Sequence, residues 1–288
     1  MADAPALAPA KVNLFLHVGP ADADGYHPLA SLVAFADVGD RITVAPADRL
    51  SLTVSGPFAG GLAGEGDNLI LRAVRALAQV AGAPEPGLAF TLDKRLPIAA
   101  GLGGGSSDAG AALKLARDVL ALPFDDAALA DVAATIGADG PMCLHARAAW
   151  AEGRGDVLTF EPSLPPLPAV LINPGVPSPT GAVYRAYDAG PPAAADRPAP
   201  PPSWDLDAVL VWLADRRNDL QAPAVALQPA IGAALQAAAG LSGARLARMS
   251  GSGATVFALF ETAAAADAAA GLLSDGRPDW WVKSTILA

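Results

Sequence analysis

Leu96-Pro97-Ile98-Ala99-Ala100-Gly101-Leu102-Gly103-Gly104-Gly105-Ser106-Ser107-Asp108 is the stretch on which the reading of this chain turns. Upstream, Leu88, Phe90 and Leu92 alternate with their neighbours as a strand does, and the pattern runs into Lys94-Arg95-Leu96-Pro97. Downstream, a helix is expected from about Ser107 to Leu120. The glycines between them let a backbone approach a ligand closely and adopt positive φ. Successive N–H groups in such a turn converge on one anion, and the following helix adds its unpaired N–H groups and the positive end of its dipole. Ser106 and Ser107 offer hydroxyls to phosphate oxygens or to a magnesium ion. The bland alternative is a Ser/Asp-capped helix after a flexible turn. It is disfavoured because three consecutive glycines are costly unless something must come close to them.

The commoner phosphate turns do not fit. No Lys follows the glycines as a P-loop requires, and a Gly-x-Gly-x-x-Gly fingerprint starting at Gly101 ends on Ser106. A nucleophile elbow starting at Gly104 ends on Asp108 instead of glycine. Further out, Val12, Leu14, Leu16 and Val18 alternate with Asn13, Phe15 and His17 as a strand, and Arg41–Ala45 and Leu50–Val54 read as two more. Asp67-Asn68 opens an amphipathic helix with Leu71, Val74 and Leu77 on one face, stopping near Gly82. Asp125-Asp126 starts another that stops near Gly137.

Composition shifts at 162–168 and again at 190–203, where Pro, Ala and Gly leave no expectation of regular structure. Ala169–Ile172 reads as a strand, and helices are expected near Leu206–Ala214 and Ala224–Ala239. The strands Arg245–Met249 and Thr255–Phe260 flank Ser250-Gly251-Ser252-Gly253. A helix over Ala263–Leu273 and a strand over Trp281–Leu287 follow. Strands and helices mix without a strict βαβα rhythm, which points to an α+β fold.

The 288 residues are 52% hydrophobic and 17% charged, enough apolar material for a sizeable core. The net charge of −10 argues against nucleic acid, whose backbone needs a basic field. It also sits oddly beside a turn built for an anion. The one cysteine, Cys143, cannot form an intrachain disulfide, which fits a reducing compartment. No basic, apolar leader is visible at Met1–Ala10, and no stretch has the roughly 18 apolar residues of a membrane span. The expectation is therefore a cytoplasmic protein with neither membrane nor nucleic-acid partner. Only Lys11, Lys94, Lys114 and Lys283 are lysines. His17, His27 and His145 have no metal-ligand spacing.

Pro-x-x-x-Gly-Leu-Gly-Gly-Gly-Ser-Ser resembles the central motif of the GHMP kinases, small-molecule kinases with a phosphate loop of their own. Ala8-Pro9-Ala10-Lys11-Val12-Asn13-Leu14 resembles their N-terminal motif, and Met249-Ser250-Gly251-Ser252-Gly253-Ala254 their C-terminal glycine motif. The three occur in the family's order and span the chain. Asp24-Gly25-Tyr26-His27, Gly137-Ala138-Asp139-Gly140-Pro141, Ala151-Glu152-Gly153-Arg154-Gly155, Pro174-Gly175-Val176 and Arg217-Asn218-Asp219-Leu220 are similar to the branch that phosphorylates a CDP-linked methylerythritol. The resemblance implies the GHMP two-domain α+β fold, with an N-terminal domain like domain 2 of ribosomal protein S5 and a ferredoxin-like C-terminal α/β sandwich. It implies an ATP-binding domain over residues 1–160 and a substrate-side domain over 161–288.

The same resemblance implies the site. Asp139 would accept the proton of the acceptor's 2-hydroxyl, and Lys11 would hold that carboxylate and hydroxyl and offset developing charge. ATP would lie on Asn68, Lys94, Pro97, Gly101, Leu102, Gly103, Gly104, Gly105, Ser106 and Ser107, with Mg²⁺ carried by ATP and Ser107 its candidate ligand. Asn13, Tyr26, His27, Thr180 and Tyr184 would bind the CDP-linked acceptor, Tyr26 and Tyr184 by stacking on its base. Read from the residues alone, other roles stay open: a surface lysine for Lys11, a turn residue for Asp139, an N-cap for Asn68, a hairpin Tyr with a nearby surface His for Tyr26 and His27.

Gly140 and Gly110 depart from the family's β-branched residue and Ala, and Gly140 is expected to loosen the aim of Asp139. Pro177 and Gly181 depart near the cytidine wall. A GHMP kinase for another alcohol such as homoserine, and a non-catalytic nucleotide-binding regulator, are the competing readings. Asp24-Gly25-Tyr26-His27 disfavours the first, and retention of Lys11 with Asp139 the second. A monomer or a homodimer is expected.

Overall fold

The computed structural model describes residues 5–62, 68–191 and 193–288. Asp67, expected to share a helix start with Asn68, lies outside the described residues, as do residues 1–4 of the N-terminal stretch and Pro192 of the proline-rich segment. The chain forms two compact units that interleave along the sequence. The first takes residues up to Ala10, Val38–Ile98 and Gly103–Ala146; the second takes Lys11–Asp37, Ala99–Leu102 and Arg147–Ala288. Strands β1 (Ala6–Val18) and β2 (Leu29–Pro46) each give residues to both.

In the first unit follow β3 (Ser51–Ser55), α1 (Leu69–Val80), β4 (Leu88–Asp93), α2 (Gly104–Val119), α3 (Asp126–Ile136) and α4 (Gly140–His145). The strand β4 runs antiparallel to Arg41–Pro46 of β2 on one side and parallel to β3 on the other. Helix α1 starts where the Asn68 side chain accepts the Ile70 N–H at 2.9 Å, and Asp125 caps α3 in the same way through Ala128. Ile70, Val74 and Leu77 recur at helical spacing and bury against Ile42, Phe90, Leu92, Leu113 and Leu129. Each such side chain contributes roughly 1.5–3 kcal/mol of burial. The expected start of α2 at Ser107 moves upstream to Gly104. The low helix propensity of glycine hides that turn in the sequence.

The second unit holds β5 (Ala149–Gly153), β6 (Val157–Phe160), β7 (Leu167–Asn173), α5 (Thr180–Asp188), α6 (Leu206–Ala214), α7 (Gln221–Leu227), α8 (Pro229–Ala239), β8 (Leu246–Met249), β9 (Val256–Leu259), α9 (Ala263–Gly276) and β10 (Trp281–Leu287). The strands β10, β7, β9 and β8 pair antiparallel in that order, and every residue of β7 is buried. Helices α8 and α9 cover this sheet with Ile231, Ala234, Ala238, Ala266 and Ala269. The single helix expected over 224–239 is two. Pro229 has no N–H to continue the first helix and starts the second, where that N–H is not needed.

The described part of 190–203 has neither helix nor strand, as its composition implies, yet it is tied down. Arg217 donates to the Ala194 carbonyl at 2.9 Å, the Trp212 indole to Ala199 at 2.9 Å, and Arg197 lies 4.3 Å over Trp150.

Candidate active site

The glycine turn is shaped by alternation. Ala99, Gly101 and Gly103 all take left-handed φ, at 49°, 73° and 62°. For Ala99 this conformation costs about 1 kcal/mol. The turn delivers the chain into α2 with Gly103 as N-cap. The first N–H groups of that helix therefore come from Gly104, Gly105 and Ser106 and have no carbonyl one turn back. The Ser107 hydroxyl is buried and makes no hydrogen bond. A Cβ at Gly101 would sit 2.3 Å from the Ser250 carbonyl oxygen, so only glycine fits there. Outward N–H groups and an unpartnered hydroxyl suit phosphate oxygens and a magnesium ion carried with them.

Lys94 reaches the start of this helix as part of a buried triad. Its ammonium donates to Asp40 Oδ2 at 2.5 Å and Asp108 Oδ2 at 2.7 Å, while Asp40 Oδ1 accepts the N–H groups of Arg95 and Leu96. The triad thus fixes both the end of β4 and the first turns of α2. Burial pushes the Asp108 carboxyl up to about 7; Lys94 opposes the shift and Asp40 adds to it. Burial disfavours the Lys94 charge, but the two carboxylates outweigh it and hold that group above its usual range. Lys94 is a tether in this turn; its charge is already matched. Asp40 does not stand out in the sequence, and Asp108 closes the glycine stretch without any sign of its partner, since the pairing joins positions 54 and 14 residues from Lys94.

Asp139 stands just before α4, half-buried, with its carbonyl accepting the Cys143 N–H at 3.0 Å. Its neighbour Gly140 is not a loosening element. A Cβ there would lie 2.1 Å from the Ala133 carbonyl oxygen, so α4 presses its first residue onto the end of α3. Gly110 is explained likewise, because its Cβ would lie 2.8 Å from Leu144 Cα. Both glycines let helices approach, and Gly140 does so directly beside Asp139.

Lys11 and Asn13 belong to the second unit, and Lys11 is 6% exposed, which excludes a solvated surface lysine. The Lys11 N–H donates to the Leu102 carbonyl at 2.8 Å. The Asn13 N–H donates to Ser250 Oγ at 3.1 Å, and Ser250 Oγ donates to the Gly101 carbonyl at 2.9 Å. One serine thereby joins the N-terminal motif, Gly101 and the C-terminal glycine motif. Asn13 Nδ2 donates to Ser31, leaving its buried Oδ1 without a hydrogen bond. Asn218, in the quoted Arg-Asn-Asp-Leu stretch, donates to the carbonyls of Met249 and Gly251, both at 2.8 Å. Ser31, Ser250 and Asn218 complete this network although the sequence marks none of them with a role.

Tyr26, His27, Thr180 and Tyr184 also lie in the second unit. The His27 and Tyr184 rings are 4.8 Å apart, and His27 Nε2 pairs with Asp188 Oδ1 at 2.6 Å. Thr180 Oγ1 and Ser252 Oγ are 2.9 Å apart, and Ser178 donates to the Ser252 carbonyl at 2.6 Å, so the start of α5 is fastened to the C-terminal glycine motif. Asn68, Lys94, Pro97 and Gly103–Ser107 lie in the first unit with Asp139. The Asn68 side chain does cap α1. Among the described residues, no group of three His, Cys, Asp or Glu could hold a metal ion, and no helix is long and apolar enough to cross a membrane.

Two family models match this chain: the GHMP kinases N terminal domain over residues 68–147 and the GHMP kinases C terminal over 206–275. The 4-diphosphocytidyl-2-C-methyl-D-erythritol kinase of Caulobacter vibrioides is 56% identical over 96% of this chain and 97% of its own. That of Methylobacterium radiotolerans is 54% identical over 97% of each. A crystal structure of 4-(cytidine 5'-diphospho)-2C-methyl-D-erythritol kinase superposes with a TM-score of 0.80 at 37% identity, covering 99% of both chains.

Proposed function

The chain belongs to the GHMP kinases, in the branch of the 4-diphosphocytidyl-2-C-methyl-D-erythritol kinases, and from that premise we propose how its residues carry out the reaction. The reaction moves the γ-phosphoryl group of ATP to the 2-hydroxyl of 4-diphosphocytidyl-2-C-methyl-D-erythritol, a step in the non-mevalonate route to isoprenoid precursors. The observation that carries the reading is the glycine turn, with its outward N–H groups and buried, unpartnered Ser107 hydroxyl, in a chain that matches its relatives from end to end.

ATP phosphates rest on the N–H groups of Gly103–Ser106, with Gly101 and Leu102 shaping the entry and Pro97 ending the strand side of the turn. Asn68 serves the adenine side. Lys94 supports the site as the buried tether that holds α2 in place. Ser107 Oγ is the hydroxyl that would hold a magnesium ion carried with ATP, and such an ion would add to the neutralisation of phosphate charge. Asp139 takes the proton from the acceptor hydroxyl, and Lys11 orients that hydroxyl and offsets the charge that develops on it. Asn13 and Thr180 hold polar groups of the acceptor, while Tyr26, His27 and Tyr184 receive its cytosine.

ATP binding falls mainly to residues 1–160 and the substrate side to 161–288, which Asn13, Tyr26 and His27 join from the N-terminal stretch; the two family matches fall on either side of that boundary. The reaction belongs in the cytoplasm, where the lone, buried Cys143 stays reduced. A side-by-side assay tests the reading. ATP should be consumed with the CDP-linked methylerythritol and not with homoserine or mevalonate. Faster turnover of either of those acceptors would overturn it.

A further inference from the structure

Tyr26 has 55% of its surface exposed, yet one face of its ring is already taken. The Arg154 guanidinium lies 4.0 Å from the ring centroid. Its Nη2 donates to Asp22 Oδ2 at 3.0 Å and to Asp24 Oδ2 at 3.2 Å. Asp22 acts in two directions. Its other oxygen accepts the N–H groups of Asp24 at 3.0 Å and Tyr26 at 2.9 Å, which shapes the turn that presents the tyrosine. Arg154 is itself delivered by a tight turn between β5 and β6. Gly153 and Gly155 take φ of 67° and 95°, and the Arg154 N–H is held by Asp156 at 2.9 Å. A guanidinium in an exposed ion pair alone would contribute little. Here the same carboxylate sets both the backbone under the ring and the cation over it.

We infer that Arg154 is a positioning residue for the nucleobase: it backs one face of Tyr26 so that the opposite face is presented, already oriented, to the cytosine of the acceptor. This rests on the reading of Tyr26 as the base platform. An aromatic ring held in place before binding loses less freedom when the base arrives. The planar guanidinium matters, because it lies over the ring while its Nη2 bonds both carboxylates, and a lysine ammonium has no plane to stack.

The test uses the full-length enzyme, with steady-state kinetics and calorimetric binding of CMP. Arg154→Ala should raise KM for the CDP-linked acceptor and Kd for CMP by about three-fold, the scale of an exposed cation–π contact. Both kcat and KM for ATP should stay as in the wild type. Arg154→Lys should recover little of the loss. In a Tyr26→Leu background, Arg154→Ala should have no further effect. Unchanged CMP binding in Arg154→Ala, full recovery by Arg154→Lys, or an equal loss in the Tyr26→Leu background overturns the role of Arg154. Wild-type protein that binds no CMP overturns the base-platform reading, and this inference with it.

Discussion

Two regions of this molecule reach precise geometry by opposite means. Around Gly101, Gly110 and Gly140 the fit depends on missing side chains: a single added Cβ would come within 2.1 to 2.8 Å of a backbone atom at each position. Around His17, Tyr187 and the segment 190–203, the fit depends on side chains that reach backbone carbonyls far away in sequence. His17 meets Asp196, Arg217 meets Ala194, Trp212 meets Ala199, and Tyr187 donates to Val18. The first kind of construction has no intermediate setting, since backbone cannot yield cheaply to a new atom. The second consists of separate hydrogen bonds, each worth on the order of 1 kcal/mol.

The largest expected effect falls on the group proposed as the base in the glycine-dense region. Asp139→Asn keeps the shape of the side chain and removes its capacity to accept a proton. Turnover should fall by about a thousand-fold, within the range of general-base catalysis. KM for both substrates should stay within a few-fold, because the backbone around residue 139 is set by Gly140 and Ala133 and not by the carboxylate. Steady-state kinetics decides this, and wild-type turnover in Asp139→Asn would remove the base from that position.

Next comes stability. Gly140→Ala should destabilise the protein by about 3 kcal/mol, the upper range for overpacking, because the obstructing atoms are the Ala133 carbonyl itself. Gly137→Ala is the matched control three residues upstream. Its Cβ would meet nothing within 4 Å and its backbone is extended, so its urea midpoint should stay close to the wild type. If the two substitutions cost the same, close approach does not explain Gly140.

This difference also explains what the sequence discloses. Helix α6 and strand β10 are read at their true bounds because apolar periodicity and an Asp cap mark them locally. The glycine turn is read because its composition has few other uses. Helices α4 and α5 are missed, since Pro141 and Pro179-Thr180-Gly181 look like loop punctuation although Pro141 stands in the first turn and Pro179 is an N-cap. The hairpin of β5 and β6 is visible only as a motif. The triad of Lys94, Asp40 and Asp108 and the Ser250 bridge to Asn13 and Gly101 leave no local trace, because each joins residues with no periodic relation. The glycines at 110 and 140 are both legible as departures; helix packing accounts for Gly110, and it reverses the expectation for Gly140, where a Cβ would overlap the Ala133 carbonyl.

The smallest effect belongs to the second kind of construction and is read through pH. His17 is buried, with Nδ1 3.1 Å from the Asp196 carbonyl and Nε2 buried without a hydrogen bond. Burial lowers its affinity for a proton below the usual 6.5, against the pull of the Asp196 carbonyl; Arg217 adds to the lowering. The folded chain therefore refuses a proton that the unfolded chain accepts. The stability carried by neutral His17 is complete above about pH 6.5 and declines as pH falls below it. His17→Gln has no proton to gain. The stability difference between wild type and variant should shift against the wild type on going from pH 7.5 to 5, by no more than about 1.4 kcal/mol per pH unit, the most a single group can give. Unfolding midpoints at the two pH values measure it. Gly140→Ala, by contrast, should show the same penalty at both, because a backbone overlap carries no proton. Parallel pH profiles for wild type and His17→Gln would mean that the imidazole titrates alike in both states, and the contrast between the two regions would then lose its pH signature.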